Sequence, residues 1–371
     1  MDEWLWGDLA YKDALIREIE RQGMNAVCVF TNGRPDPSLG MPGLMDVIQQ
    51  FFMKDGKPFV DVILNTMKFS ITVFGHLTTK DLQKISIPIF EAYTLMTEYE
   101  DWKDSEEGMN SMAVSISVAL PEFDGGIHGV PIASKHVGDD GKTVYIPIED
   151  RIRRMVRRAK KWALLRHKAN HDKKIAIIFH NYPAKNSNIG SAAGLDSIES
   201  VILLLKRMKA DGYNVASIPE SREAFLKELT SHATNDRAFL TDAQAETAQR
   251  ISRADYMKFW DTLSKEAQDA MIQKWGEAPG DYLLGDDGAL LLPGYFDGNV
   301  FLTVQPSRAG AGEDAEAVYH DLHIPPTHQY LGFYEWLQHV WGADAVIHMG
   351  THGTQEWLPG MKFGYNSLVK D

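Results

Sequence analysis

His348, His352 and Glu356 recur at four-residue intervals in Asp344-Ala-Val-Ile-His-Met-Gly-Thr-His-Gly-Thr-Gln-Glu-Trp-Leu-Pro-Gly360, where an apolar run delivers two imidazoles and a carboxylate into a glycine-rich turn. That spacing puts both rings on one face only in a helix. Gly350, Gly353 and Pro359 argue against a long helix here. Ala345, Val346 and Ile347 read instead as a buried strand, which sets the three side chains at its C-terminal end. Open α/β sheets bind their ligands at that edge. Two neutral imidazoles and a carboxylate converging there suit a divalent metal or an acidic proton. The competing reading is a pair of loop histidines hydrogen-bonded to backbone.

A second buried strand with polar residues at its end must position such a site. Lys174-Ile-Ala-Ile-Ile-Phe179 has the continuous apolar character of a strand covered on both faces, and it runs into His180-Asn181-Tyr182-Pro183. The small-residue loop Asn186 to Gly194 then leads to Asp196 as an N-cap, with Glu199 three residues on. Ile198, Val201, Ile202, Leu205 and Met208 mark the buried stripe of the following helix, which Gly212 closes. A loop of this kind offers backbone N–H groups and a positive dipole end to an anion, or serves only as a tight strand-to-helix turn.

The elements alternate in the βαβ manner and predict an α/β fold: two or more parallel-sheet units with helices on both faces, plus a mostly helical insertion over about 220–275. In the first unit, helix-like Trp4 to Arg21, strand-like Ala26 to Phe30, helix-like Leu44 to Met53, and strand-like Phe59 to Asn65 and Ile85 to Phe90 follow one another. The loops Thr31 to Gly40 and Pro121-Glu122-Phe-Asp124-Gly-Gly are placed to line a cleft. A boundary near Ile148 divides residues 1–148 from 149–371. In the second unit, strands at Leu290 to Leu292 and Val300 to Val304 precede a helix capped by Thr327, whose aromatic stripe Tyr330, Phe333, Tyr334, Leu337 and Trp341 reads as core.

A chain of 371 residues with 44% hydrophobic content buries an ordinary core. Cys28, the one cysteine, lies in an apolar run and reads as a small buried hydrophobe. The net charge is −13, although Arg151 to Lys174 holds eleven bases against one acid, leaving 50 acids against 27 bases elsewhere. That balance disfavours nucleic acid as a partner. The basic stretch has helical apolar spacing and reads as an amphipathic helix whose cationic face is either solvated or docks an acidic partner. Neither a leader nor a membrane span is evident, which makes a cytoplasmic location the expectation.

Familiar nucleotide and nucleophile motifs fail. Gly310-Ala-Gly312-Glu-Asp-Ala315 is separated from its strand by Gln305 to Ala309, and Gly141-Lys142-Thr143 has His136 where a P-loop needs glycine. No Gly-x-Ser-x-Gly elbow occurs. ATP chemistry, if used, comes from elsewhere.

Several segments together resemble the large subunits of cobaltochelatase and magnesium chelatase. They are Pro121-Glu-Phe-Asp-Gly, Ile177-Ile-Phe-His-Asn-Tyr-Pro, Asn188-Ile-Gly-Ser-Ala-Ala-Gly-Leu-Asp196, Gly298-Asn-Val-Phe through Gln305-Pro306, Pro325-Pro-Thr-His328-Gln-Tyr-Leu and Gly342 to Gly360, with Trp102, Ser105 and Gly108 adding to them. Glu356-Trp357-Leu358 is similar to the cobalt branch, while Met361, Tyr365 and Asn366 depart from the family pattern. Family members are far longer than this chain, so the resemblance implies a portion of a larger subunit. It also implies a tetrapyrrole substrate, a divalent metal substrate with Co²⁺ favoured over Mg²⁺, and ATP used only through partner subunits of the AAA+ class.

Under that resemblance, His348, His352 and Glu356 become proton acceptors and transient metal ligands, with His180 opposite them. Asn181, Tyr182, Asn188 and the Gly190 backbone hold ring substituents, and Arg308 pairs with a ring carboxylate. Gln305, His328, Glu122 and Asp124 complete the candidate substrate-binding set. A tetrapyrrole-binding module without catalysis and a zinc hydrolase on the same histidines are the readings that compete with chelation.

Overall fold

The computed structural model describes residues 2–31, 35–67, 70, 72, 78–105, 108–182, 185–232, 234–235, 240–310, 317–318, 321 and 323–351. His352 and Glu356 lie outside them. Two compact units are present, one ending at His167 and the other starting at Lys168.

In the first unit, β1 (Ile63–Asn65), β2 (Ile89–Thr94), β3 (Gly126–Val137) and β4 (Thr143–Pro147) lie in that order, the first three parallel and β4 antiparallel to β3. Helices α1 (Ala10–Arg21) and α2 (Glu149–His167) share a core with this sheet: Tyr11 and Leu15 from α1, Ile152, Met155, Val156 and Ala159 from α2, and Phe90, Ala92, Val130 and Ile132 from the strands. The basic helix therefore belongs with the first unit, and the division falls after it instead of near Ile148. Part of its charge is tied down locally: Lys160 donates to the Gln22 carbonyl at 2.7 Å, Arg166 to that of Ser86 at 3.2 Å, and Arg151 is buried.

Three local expectations change. Residues 26–30 form no strand; Val27, Cys28 and Phe30 are exposed, and Phe30 stacks on Trp4 instead of pairing with a sheet. A five-residue apolar run does not specify whether a partner strand exists. The expected strand from Ile85 begins at Ile89, because Ser86 has a φ of 53°, while Ile85 and Ile87 pack with Ile48, Phe52 and Leu82. Pro121 to Phe123 continue a helical stretch from Ser111, so the loop begins only at Asp124.

The second unit is built on β5 (Ile175–Phe179). Around it run two short strands, β6 (Gln249–Ile251) and β7 (Leu290–Leu292), paired apart from the main sheet, and then β8 (Tyr295–Asp297), β9 (Val300–Val304) and β10 (Ala345–Met349). The main sheet has the order β8-β9-β5-β10, with β9 and β10 both parallel to β5. All five residues of β5 are buried, as its unbroken apolar sequence requires. Alternate residues feed two cores. Ile175, Ile177 and Phe179 meet the Ile198, Val201, Ile202, Leu205 and Met208 stripe of α3 (Ser197–Ala210), with Phe225 and Leu229 of α4 (Arg222–His232). Ala176 and Ile178 face Tyr256 and Trp260 of α5 (Arg253–Trp260), Met271 of α6 (Lys265–Trp275) and Phe333 of α7 (His328–Glu335). Helices thus cover both faces. No helix among the described residues is long and apolar enough to cross a membrane.

β10 is an edge strand, with Val346 and His348 on its exposed positions. Asp344 fastens it. Its carboxylate accepts from the Lys174 backbone N–H at 2.7 Å and from Lys168 Nζ at 2.6 Å, and its own N–H donates to the Lys174 carbonyl at 2.8 Å. Asp344→Ala removes the first two bonds at the start of the strand. We expect it to cost about 1–3 kcal/mol and to speed amide exchange across Ala345–Met349; exchange and urea midpoints equal to those of the parent protein would show that the carboxylate does not hold the strand.

Candidate functional site at the strand ends

The three parallel strands β9, β5 and β10 end together, and their exits are bonded to one another. His180 N–H donates to the Met349 carbonyl at 2.8 Å, Gln305 N–H to the Phe179 carbonyl at 2.8 Å, and Gly190 N–H to the His180 carbonyl at 2.7 Å. Loop contacts add to this: Ala193 N–H lies 3.4 Å from Thr351 Oγ1, and Asn235 Nδ2 donates to the Gln305 carbonyl at 2.5 Å. The parallel register pairs Ile178 with His348 and Phe179 with Met349. Paired residues of neighbouring strands point to the same face, and faces alternate along each strand. His348 and Ile178 therefore share one face, and His180 continues it opposite Gly350. A Cβ at Gly350 would come 2.3 Å from His180 Cβ, and Gly350 has a φ of 147° that favours glycine, so only glycine fits beside this imidazole.

His348 lies on the α7 side of the sheet, its ring stacked on Tyr334 with centroids 6.0 Å apart and planes 25° off parallel. Tyr334 also lies 3.4 Å from the side-chain nitrogen of Gln305. The imidazole keeps contact with solvent, while desolvation by the surrounding protein lowers its pKa. That favours the neutral ring, the form that accepts a proton or binds a cation. Asn181 is 5% exposed, and neither its side-chain oxygen nor its nitrogen has a hydrogen-bond partner among the described residues. An amide buried in this state has capacity for a polar partner, a ligand group or an ordered water. Tyr182 and Asn188 flank it in the same loop, both partly exposed.

Three expected ligand contacts are already used by the protein. Arg308 is buried and donates from Nη2 to the carbonyls of Asp321 at 3.1 Å and Ile324 at 3.0 Å, so that end of its guanidinium braces a loop. His328 is buried, with Nδ1 2.8 Å from the Tyr256 hydroxyl and Nε2 3.0 Å from the Gly276 carbonyl; burial lowers its pKa. Gly190 spends its N–H on His180 and its carbonyl on Ser197 Oγ at 2.7 Å. The positive end of α3 is likewise capped by Asp196, which accepts from Glu199 N–H at 3.1 Å and pairs with Arg222. Gln305, 3% exposed, points its amide to Tyr334.

The first unit contains an acid that sequence reading missed. Glu91 of β2 is 4% exposed and accepts from Asn65 Nδ2 at 2.9 Å. Burial pushes its pKa up to about 8, opposed by the Asn65 bond and reinforced by the negative charge of Asp124. Asp124 is itself buried and accepts from Thr72 N–H at 3.3 Å and from the Thr72 hydroxyl, whereas Glu122 is exposed. The only warning in the sequence was a charged residue just after an apolar run, which looked like a strand end. Tyr334 was the other omission, hidden in an aromatic stripe; a tyrosine there carries a polar tip that a phenylalanine lacks.

A largely parallel sheet with helices on both faces defines an α/β protein, and imidazole and amide groups lie beyond its strand ends, the edge at which such sheets bind ligands. The chain belongs to the CobN/magnesium chelatase family, whose model matches residues 1–368. An uncharacterised protein of Methanocaldococcus jannaschii is 40% identical over 97% of this chain and 30% of its own length. The chloroplastic magnesium-chelatase subunit ChlH of Oryza sativa is 30% identical over 96% of this chain and 25% of its own. The solved catalytic subunit of cobaltochelatase from Mycobacterium tuberculosis superposes with a TM-score of 0.81 at 29% identity, covering 99% of this chain and 31% of that one. The chain thus spans less than a third of the length of these proteins.

The Glu91 proton makes stability depend on pH. Folded, the group holds its proton to about pH 8; unfolded, it ionises in the ordinary carboxylate range near 4.5. Its contribution is therefore complete below the unfolded pKa and is lost as pH rises towards 8, at up to about 1.4 kcal/mol per pH unit. Glu91→Gln, which mimics the neutral acid, should gain a few kcal/mol on the parent between pH 5 and 8.5 in urea titrations; parallel pH curves for the two proteins would contradict a protonated Glu91.

Proposed function

We propose that this chain is a portion of the large, tetrapyrrole-binding subunit of an ATP-dependent chelatase that inserts cobalt into a corrinoid precursor in cobalamin biosynthesis. The observation that carries the reading is the placement of His180 and His348 on one face at adjacent strand ends, next to the Asn181 amide, which has no side-chain partner among the described residues, in a chain of this family. Cobalt is preferred to magnesium on Glu356-Trp357-Leu358. Imidazole is also a better ligand for Co²⁺ than for Mg²⁺, which takes oxygen.

Metal insertion removes two pyrrole protons and passes a cation from weak protein ligands to four ring nitrogens. The neutral His348 is suited to accept a pyrrole proton or to hold the incoming cation, and His180 is placed to take the same role beside it. His352 and Glu356, four and eight residues beyond His348, complete the donor set in this reading. A carboxylate oxygen binds a divalent ion loosely enough to release it. Asn181, Tyr182 and Asn188 bind polar substituents on the rim of the ring. In the first unit, Glu122 and Asp124 remain candidates for substrate contact.

No phosphate-binding loop is evident in the sequence, and in this reading the work of distorting the macrocycle comes from AAA+ partner subunits that hydrolyse ATP. The complex acts in the cytoplasm.

His348→Ala in the full-length protein, assayed with its partner subunits, ATP, Co²⁺ and a metal-free corrinoid, should lower the insertion rate at least about a hundredfold, as loss of an acid–base group does. Corrinoid binding measured by fluorescence quenching should stay within a few fold. Full insertion by the variant would overturn the role of this histidine, and Mg²⁺ insertion into a porphyrin with no cobalt activity in the parent protein would overturn the cobalt assignment.

A further inference from the structure

His348 sits near the end of an edge strand, at a solvent-facing position, and a lone imidazole there has two freely turning side-chain bonds. Nothing in the β-ladder fixes the plane of its ring. Tyr334 does lie against that plane, with centroids 6.0 Å apart and a 25° tilt, inside the range in which aromatic rings attract in offset stacks.

Tyr334 is itself held from several directions. On α7 itself, Tyr330 lies 5.1 Å away at 49°, and Phe333 lies 5.1 Å away at 89°. Just after β9 the Gln305 amide donates towards the phenol oxygen at 3.4 Å, a long bond from a side chain that is 3% exposed. Gln305 cannot drift, because its backbone N–H is bonded to Phe179 of β5 and its carbonyl to Asn235. A chain of fixed groups therefore runs from the central strand through Gln305 and Tyr334 to the ring of His348. Phe333 and Leu337, two other members of the stripe, are fully committed to the core, whereas Tyr334 is half-buried and meets the site.

We propose that Tyr334 is a positioning residue for His348: its flat face sets the imidazole plane, and its hydroxyl, held by Gln305, keeps that face in register with the strand ends. This rests on the role given to His348 above. A ring turned out of line with the pyrrole nitrogens has to find its orientation in every catalytic cycle, and misplacement on the scale of an ångström lowers rates by as much as about a hundredfold. Binding of the macrocycle, which depends on other groups, is largely spared.

The test uses the full-length protein with its partner subunits, ATP, Co²⁺ and a metal-free corrinoid. Tyr334→Leu and Tyr334→Met both remove the flat face and should lower kcat about tenfold or more, with KM for the corrinoid within about twofold of the parent. Tyr334→Phe keeps the stack and should restore kcat to within about fivefold of the parent. Two aliphatic variants guard against one that fails to fold, and circular dichroism melting accompanies each. Parent-like kcat in a folded Leu or Met variant overturns the proposal, as does a Phe variant that falls as far as they do. His348→Ala in the same assay separates the claims: if it is inactive while the aliphatic variants are unaffected, only the positioning role falls; if all are unaffected, the reading of the site falls with it.

Discussion

Everything at the candidate site depends on the register in which the edge strand β10 joins β5. Side chains alternate across a sheet, so a slip of one residue would carry His348 from the face of α7 to the face of α3 and α4, where Ile347 now packs. Parallel edge pairing is weakly specified by its own hydrogen bonds, and here it is fixed at both ends. Asp344 clamps the start to Lys174, and His180 N–H reaches the Met349 carbonyl at the finish. Gly350 then lets the two backbones run side by side, since any Cβ would collide with His180.

Satisfaction of polar groups separates the scaffold of this edge from its working surface. Arg308, His328 and Gly190 carry the right chemistry for a ligand, yet each spends hydrogen bonds within the protein, and these stiffen the loops on which the site stands. Asn181 is the contrary case: buried, polar and without a partner among the described residues, in a loop whose backbone is paired to Ile189. An unmet buried amide costs about 1–3 kcal/mol, a cost that a bound polar group removes. His348 adds a neutral, partly desolvated base beside it.

The second unit was largely legible in the sequence. The unbroken run of β5 could only be a doubly covered strand, the Asp196 cap and its stripe gave α3, and Thr327 caps α7 by accepting from Tyr330 N–H at 3.1 Å. Such features are local, and local patterns carry through folding. The first unit was less legible because its apolar runs do not state their partners: residues 26–30 and Ile85 to Ile87 are as apolar as a strand but pack or lie open without pairing. At the site, residue type pointed to His180 and His348, whose strand-end positions follow from the motifs. It could not reveal that Arg308 and His328 are occupied, because their partners are backbone carbonyls and a tyrosine 13 to 72 residues away in sequence. Glu91 and Tyr334 were missed for the same reason: what makes each notable is a neighbour from another element.

The central claim is that His180 and His348 face one ligand, and chemical footprinting tests it most directly. Full-length protein is treated with diethyl pyrocarbonate, with and without a saturating metal-free corrinoid, and carbethoxylation of each histidine is read by mass spectrometry. The account predicts that the ligand protects His180 and His348 together while His171, whose side chain is 70% exposed on the far side of β5 in sequence, reacts equally in both samples. Equal labelling of His180 and His348 with and without the corrinoid would contradict it.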